Sequence, residues 1–356
     1  MINQSTFART TFFAALVGSF ALAGCSDDGD PGTGASGNDP SAATSSAVVS
    51  GSGGSTTTGG STTTGDGGAS AGGTGGEGGM TGSGGSPGTG GSGGSMDGKV
   101  APRPSAGCNK ANPQTGSAQS PLTVSGHQYY VKLPTNYDAS KPYPVMIMFN
   151  PTGNPISWAE QNAGFEVTGP KEAWIRVYPH PANSGSGWGA NDVSFFEPFY
   201  EQITGNFCID EARVFAAGES SGGDFSSILG CEHADKLRAV GPCATKNVSQ
   251  YPLNAGTRQC TGQVTAVVIH GERDSVVGTE NGPKTRDFYT ALNHCEATTT
   301  PVEGYTDNLS NCVMYQGCDE DRPVYWCEHG DPNYNNTNHG WPAFAPKFLW
   351  SLFSTY

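Results

Sequence analysis

The chain has 356 residues, 53 of them glycine, and its 32 acidic side chains against 18 basic ones give a formal net charge of −14. An acidic chain without a basic run argues against nucleic acid as a partner, because binding to a phosphate backbone needs clustered Lys and Arg.

The first 25 residues have the pattern of an export signal. Arg9 supplies positive charge, and residues 12–23 form an apolar stretch that is too short for a membrane-spanning helix. The stretch ends in Leu22-Ala23-Gly24-Cys25, which resembles a bacterial lipobox, where the cysteine becomes the lipidated first residue. We therefore expect export, with Cys25 lipidated and the protein held on a bacterial membrane or cell surface. An ordinary signal peptide, cut nearby to give a secreted protein, is the alternative.

Residues 26–104 are rich in Gly, Ser and Thr and have almost no large apolar side chains. Such a segment buries too little surface to offset its ordering entropy, so it is predicted to be a disordered tether. Residues 105–356 are then one folded domain of ordinary size, which we expect to be a monomer.

Nine cysteines remain once Cys25 is set aside. In an exported protein they predict structural disulfides, with one thiol left free because the number is odd. A metal site is the rival interpretation, but the spacings lack a paired Cys-x-x-Cys or a His-x₃₋₅-His, so we expect no metal or other cofactor. The nine are Cys108, Cys208, Cys231, Cys243, Cys260, Cys295, Cys312, Cys318 and Cys327.

Apolar, β-prone segments alternate with segments of helical spacing along the domain. The predicted strands are residues 127–133, 145–149, 174–178, 214–218, 237–240 and 264–269, and the predicted helices are residues 192–206, 225–231, 284–293 and 342–353. This alternation predicts an α/β fold, with a mostly parallel sheet covered by helices on both faces. Active sites in such sheets lie at the carboxyl ends of the strands.

Ser220 lies at one of these strand ends, in the run Gly218-Glu219-Ser220-Ser221-Gly222. A strand that leads into Gly-x-Ser-x-Gly and then a helix is the context of a nucleophile elbow. The two glycines lack a Cβ, so strand and helix can approach closely. A chance match in a glycine-rich chain is the alternative, but most of the glycines lie in the tether.

A nucleophilic serine needs a base, and the base needs an orienting acid. Asp274 follows the strand of residues 264–269 on a loop, with Glu272 as its nearest rival. His339 lies in a loop rich in Asn, Gly and Pro before the last helix, and His329 is the alternative base. His294 abuts Cys295 at a helix end and is interpreted as structural. The order Ser220, Asp274, His339 is the chain order of an α/β-hydrolase triad.

The oxyanion of an acyl-transfer intermediate needs at least two N–H donors. The backbone N–H of Ser221, directly after the nucleophile, is the first candidate. The second should come from the loop after the strand of residues 145–149, where Pro151 has no N–H and Thr152 is the candidate. A plain turn is the alternative interpretation of this loop.

These motifs together resemble the secreted feruloyl esterase and polyhydroxybutyrate depolymerase-like branch of the α/β-hydrolases. The resemblance implies an α/β-hydrolase fold, stabilised by disulfides, with Ser220, Asp274 and His339 as nucleophile, acid and base. The matching stretches are Asp192-Val193, Arg213 to Gly223, His270-Gly271-x-x-Asp274, His339-Gly340-Trp341-Pro342 and the cysteine-rich residues 312–327.

Two positions depart from that pattern. The family usually has His-Gly-x-Gly where this chain has Asn150-Pro151-Thr152-Gly153, and it usually has a neutral residue or His where this chain has Glu219. An acid at that position should raise the local negative potential and disfavour anionic substrates. Trp188 and Trp341 are the candidates to bind an aryl acid, with core packing as the alternative role for both.

The sequence thus predicts an extracellular serine carboxylesterase that cleaves feruloyl (hydroxycinnamoyl) esters of plant cell-wall polysaccharide. A depolymerase of polyhydroxyalkanoate and an acetylxylan or short-acyl esterase are the enzyme alternatives. A surface carbohydrate-binding protein on a hydrolase fold that has lost its activity is the alternative of another class. In every case the expected partner is polymeric or polysaccharide-linked, and contact with a membrane is through the lipid anchor only.

Overall fold

The computed structural model describes residues 100–246, 260–306, 310–319, 321–331 and 337–356. The predicted export signal, Cys25 and the predicted tether up to residue 99 lie outside the described residues.

A ten-stranded sheet in the order β1-β2-β4-β3-β5-β6-β7-β10-β9-β8 forms the centre of the domain. The six strands from β4 to β10 in this order pair in parallel, and the remaining pairs at both edges are antiparallel. The strands are β1 (Leu122–Val124), β2 (His127–Lys132), β3 (Tyr143–Phe149), β4 (Ile175–His180), β5 (Ile209–Glu219), β6 (Ala239–Cys243), β7 (Thr265–Gly271), β8 (Thr299–Thr306), β9 (Ser310–Tyr315) and β10 (Val324–His329).

Helices cover both faces of this sheet, as β3 shows. Its residues alternate between two apolar cores: Val145, Ile147 and Phe149 pack on one face, and Met146 and Met148 pack on the other. The first core also holds side chains of α3, α4 and α5, and the second holds those of α1 and α6. The helices are α1 (Trp158–Asn162), α2 (Pro170–Ala173), α3 (Val193–Asn206), α4 (Ser221–Glu232), α5 (Asn281–Leu292) and α6 (Ala345–Phe353), with a 3₁₀ turn at Ala190–Asp192.

The predicted α/β-hydrolase fold is confirmed, and each predicted strand and helix overlaps an observed one. Strands β8, β9 and β10, and the short β1, were not predicted. In β8 most side chains are exposed, so its sequence contains no apolar run from which a strand could be predicted. It forms through its ladder with β9.

Four disulfides cross-link the domain, and of the nine cysteines only Cys243 is free, as the odd number predicted. The Cys312–Cys327 bridge joins directly opposed residues of β9 and β10, so it fixes the register of that antiparallel pair. The other bridges are Cys108–Cys208, Cys231–Cys260 and Cys295–Cys318.

The segment before residue 105 contacts the domain over its last residues. The Arg103 N–H donates to Asp210 Oδ1 at 2.8 Å, and the Arg103 carbonyl accepts the N–H of Glu211 at 2.8 Å. The Val100 N–H donates to the carbonyl of Tyr356 at 3.1 Å. Within the described residues, the last five residues of the predicted tether therefore contact the domain. Within the described ranges, no helix combines the length and apolar character that a bilayer crossing requires.

Candidate active site

Ser220 occupies a sharp turn between a central strand and a helix. Strand β5 ends at Glu219 and α4 begins at Ser221, and between them Ser220 has φ 54° and ψ −123°. A positive φ is costly for a residue with a Cβ and persists only where the surroundings enforce it. Here the Ser220 N–H donates to the carbonyl of Cys243 on the neighbouring β6 at 2.9 Å. The turn therefore presents a half-buried serine at the carboxyl end of the parallel strands.

The two glycines of the motif are required by close backbone approach. A Cβ on Gly218 would lie 2.4 Å from the carbonyl of Gly222, and a Cβ on Gly222 would lie 2.2 Å from the carbonyl oxygen of Phe149. No side chain fits at such distances, so β3, β5 and α4 can meet only around glycine. This is the strand–turn–helix geometry that the sequence predicted.

Asp274 lies on the loop after β7, with its carboxylate buried. Oδ1 accepts hydrogen bonds from the backbone N–H groups of Val276 at 2.9 Å and Val277 at 3.1 Å. Oδ2 accepts a hydrogen bond from Nδ1 of His339 at 2.8 Å. Burial alone raises the pKa of Asp274, but the hydrogen bonds from His339 and the backbone outweigh it and hold this pKa below its ordinary value. Asp274 is therefore ionised at neutral pH.

That ionised carboxylate fixes the tautomer of His339. A carboxylate only accepts hydrogen bonds, so Nδ1 of His339 must carry the proton that it shares with Asp274. Nε2 is then the nitrogen left free to take up a proton from a nucleophile. This is the role that a triad assigns to its base.

The loop that carries His339 is joined directly to the loop that carries Asp274. The Arg273 N–H donates to Oδ1 of Asn338 at 3.0 Å, and the Ser275 N–H donates to the carbonyl of Thr337 at 3.2 Å. Asn338 has a φ of 57°, a conformation that asparagine tolerates better than most residues. These contacts hold Asp274 and His339 in a fixed relative position.

The rival residues for acid and base lie elsewhere. Glu272 is exposed and lies 3.5 Å from Arg273, and His294 is exposed and pairs with Asp319 at 2.6 Å. His329 on β10 is only 1% exposed, and both of its ring nitrogens lack a partner among the described residues. The structure therefore brings together the predicted Asp274 and His339 and leaves the alternatives outside this pair.

Burial of His329 has a consequence for stability. It lowers the pKa of His329 to about 4, against an unfolded value of about 6.5. The unfolded chain therefore takes up this proton first, and stability that is complete above pH 6.5 is lost as the pH falls towards 4. The titration of His329 alone lowers the free energy of unfolding by about 3 kcal/mol at pH 4.

We expect His329→Met to remove that part of the acid sensitivity, because methionine fills the site without a titrating group. Urea unfolding of both proteins at pH 7 and pH 4 measures it. Between pH 7 and pH 4, the free energy of unfolding of the wild type should fall by about 3 kcal/mol more than that of the variant. Equal losses in the two proteins would show that His329 is not the group responsible.

The side-chain hydroxyls of Thr152 and Ser221, whose backbone N–H groups are the predicted oxyanion donors, both lie against Gly187. A Cβ on Gly187 would lie 2.2 Å from Oγ1 of Thr152 and 2.6 Å from Oγ of Ser221. Ser221 is the first residue of α4, so its N–H has no acceptor within the helix. The loop after β3 and the start of α4 thus lie side by side, as a shared oxyanion hole requires.

Asn150, which stands where the family usually has histidine, braces the loop of Thr152. Its Nδ2 donates to the carbonyls of Pro151 at 3.1 Å and Asn154 at 3.2 Å, and its Oδ1 accepts the indole N–H of Trp188 at 3.3 Å. The side chain is buried, with 1% exposed. The altered loop is therefore held by its own internal network, which the sequence did not indicate.

The two candidate tryptophans differ in their surroundings. Trp188 is 3% exposed and stacks on Phe225 with ring centroids 4.7 Å apart, which agrees with the alternative of core packing. Trp341 is 8% exposed, and its indole N–H is buried without a partner among the described residues. The backbone N–H of Trp341 donates to Oε2 of Glu219 at 2.9 Å, which places this tryptophan beside the elbow.

A separate polar cavity of about 720 Å³ contains none of the predicted site residues. Its charged side chains are largely paired with one another. Arg176 donates to both carboxylate oxygens of Glu166 at 3.0 Å, and Lys132 lies 2.6 Å from Glu160. Such pairs leave little charge for a ligand, and we assign the cavity no function.

The mostly parallel sheet with helices on both faces is an α/β-hydrolase fold, and the strained serine turn and the buried Asp–His pair lie at the carboxyl ends of its strands. Curated proteins named feruloyl esterase are similar in sequence to this chain. The chain is 29% identical over 275 residues to feruloyl esterase D of Neurospora crassa, covering 72% of this chain and 92% of that protein. It is 26% identical over 267 residues to feruloyl esterase C of Emericella nidulans, covering 70% and 90%. The predicted resemblance to feruloyl esterases is thereby confirmed.

No family model matches the chain. Among solved structures, it is similar to an acetyl xylan esterase from Aspergillus awamori, with a TM-score of 0.48 and 12% identity over 65% of this chain and 94% of that one.

Proposed function

We propose that this protein is a serine carboxylic ester hydrolase that cleaves feruloyl (hydroxycinnamoyl) esters of plant cell-wall polysaccharide. The observation that carries the proposal is the 2.8 Å hydrogen bond between His339 and the buried Asp274. The loop of His339 also contacts Glu219, directly before the strained Ser220, through the Trp341 N–H at 2.9 Å. Similarity to proteins named feruloyl esterase over about 70% of the chain supports the choice of ester.

In this mechanism Oγ of Ser220 attacks the ester carbonyl carbon while Nε2 of His339 takes its proton. Asp274 keeps the imidazole in the required tautomer and stabilises the imidazolium that forms. The N–H groups of Ser221 and Thr152 donate to the tetrahedral oxyanion. The imidazolium then protonates the leaving alcohol, which gives a feruloyl ester of Ser220. Water, deprotonated by His339, hydrolyses that ester and restores the serine.

The substrate class is tested by comparing initial rates on four substrates, with Ser220→Ala as the blank. Methyl ferulate should give a kcat/KM at least about tenfold above methyl acetate, an ester of the same alcohol. Poly(3-hydroxybutyrate) film and acetylated xylan should be turned over slowly. Preference for film or acetylated xylan would replace feruloyl esters by one of those substrates. No turnover of any ester would favour a binding protein without activity.

We also propose that the protein is exported and held outside the cell by lipid on Cys25. Four disulfides are typical of a protein that folds in an oxidising compartment, which supports export. Stable anchoring takes more than one acyl chain, which lipoprotein processing would supply.

Replacing Cys25 by Ser should block lipidation and move the protein from the detergent phase to the aqueous phase on fractionation. The wild type, expressed in parallel with the same export signal, is the control. A variant that still partitions with membranes would mean that Cys25 carries no anchor.

A further inference from the structure

Glu219, the residue directly before the nucleophile, has a carboxylate that is almost completely buried. The residue is 1% exposed, and its Oε2 accepts the backbone N–H of Trp341 at 2.9 Å. These two residues are 122 positions apart in the chain. The hydrogen bond therefore connects the end of β5 with the loop of His339, two residues before Trp341.

A second contact joins the same two parts of the molecule. The thiol of Cys243 donates to the carbonyl of Gly340 at 3.2 Å, and the carbonyl of Cys243 accepts the N–H of Ser220 at 2.9 Å. Burial, with Glu219 and Asp274 nearby, raises the pKa of this thiol, so it stays protonated and able to donate. The segment from His339 to Trp341 is thus fastened to the serine turn from two sides.

A buried carboxylate at this position is costly to keep. Removing a carboxylate from water costs several kcal/mol, and a neutral side chain before the serine would avoid that cost. What the Trp341 N–H requires is an acceptor oxygen at this reach, which a side chain of the length of glutamate supplies. The side chain is directed at the histidine loop, a contact that the sequence did not indicate. The expectation that Glu219 disfavours anionic substrates stays a prediction.

We propose that Glu219 is a positioning residue: through the Trp341 N–H it sets the imidazole of His339 relative to the hydroxyl of Ser220. The inference rests on the proposed function, because it assumes that Ser220 and His339 act as nucleophile and base. Glu219 itself would take no part in proton transfer.

Two conservative variants separate position from charge. Glu219→Asp keeps the charge but draws the acceptor back by one methylene, whereas Glu219→Gln removes the charge and keeps an acceptor oxygen at the same reach. A displacement of about 1 Å costs as much as 10²-fold in rate. We therefore expect the Asp variant to lose about 10- to 100-fold in kcat with KM changed less than about threefold, and the Gln variant to lose less than about threefold in kcat.

The same pair of changes at Glu201, an exposed residue of α3, is the control for the chemistry of the substitution. Melting temperatures of all variants show whether a loss of rate follows a loss of folding. A purely structural role would lower the melting temperature of Glu219→Asp while leaving kcat of the folded fraction unchanged. That result would overturn the proposal. So would a wild-type kcat in both Glu219 variants, or a loss of kcat in Glu219→Gln as large as that in Glu219→Asp.

The rate of inactivation by a fluorophosphonate distinguishes this proposal from the proposed substrate. That reagent reports the reactivity of the serine and does not depend on a feruloyl group. If methyl ferulate is not hydrolysed but Glu219→Asp slows inactivation about tenfold relative to Glu219→Gln, the substrate is wrong and the positioning role stands. Equal inactivation rates in the two variants would overturn the positioning role whatever the substrate.

Discussion

Replacing Ser220 by alanine should lower kcat on methyl ferulate by about 10⁶-fold, to the background rate. The hydroxyl is the group that forms the covalent intermediate, and alanine leaves the strained turn and its glycine contacts in place. The melting temperature should therefore stay within a few degrees of the wild type. Ser140→Ala, at an exposed position between β2 and β3, is the matched control and should keep full activity.

A Ser220→Ala protein with activity within tenfold of the wild type would remove Ser220 from the mechanism. A variant that is inactive and also unfolded would be uninformative about chemistry, so circular dichroism accompanies the assay. Chromogenic acetate esters extend the measurement to a substrate without an aryl acid.

His339→Gln should be about as damaging as Ser220→Ala, because the members of a triad act as a unit and the serine is a weak nucleophile without its base. His329→Met should retain most of the activity, because both ring nitrogens of His329 are buried away from any partner among the described residues. The measurement is kcat/KM on methyl ferulate for both variants between pH 6 and pH 9.

The double variant Ser220→Ala with His339→Gln provides the control for this pair. Its activity should be no lower than that of either single variant, since removing one member already disables the unit. Full activity of His339→Gln together with loss in His329→Met would transfer the role of base to His329. Additive losses in the double variant would mean that the two residues act independently.

The central elements of the fold could be predicted because their signals are local. The apolar run before Ser220 and the helix after it are contiguous in the chain, and the Gly-x-Ser-x-Gly spacing states where the backbone must turn. The edge strands could not be predicted in the same way. Strand β8 exposes most of its side chains and depends on β9 for its hydrogen bonds, so neither its periodicity nor its composition is typical of a strand.

The candidate site shows the same difference between local signals, which the sequence contains, and long-range contacts, which it does not. Ser220, Asp274 and His339 could be proposed from motif, chain order and loop position. The contacts that hold them could not, because they join residues far apart in the sequence: Asn150 with Trp188, and Glu219 with Trp341. For the same reason the odd number of cysteines predicted a free thiol, but only the spatial pairing identifies it as Cys243 and places it under the histidine loop.

Mapping the site of covalent labelling tests the central claim most directly. The folded protein is treated with one equivalent of a fluorophosphonate, digested and analysed by tandem mass spectrometry, with and without a prior excess of methyl ferulate. We predict a single adduct on Ser220, slowed by methyl ferulate and slowed at least about 100-fold in His339→Gln, since the base activates the nucleophile. An adduct on any other residue, or labelling of Ser220 at the same rate without His339, would contradict the assignment of the triad.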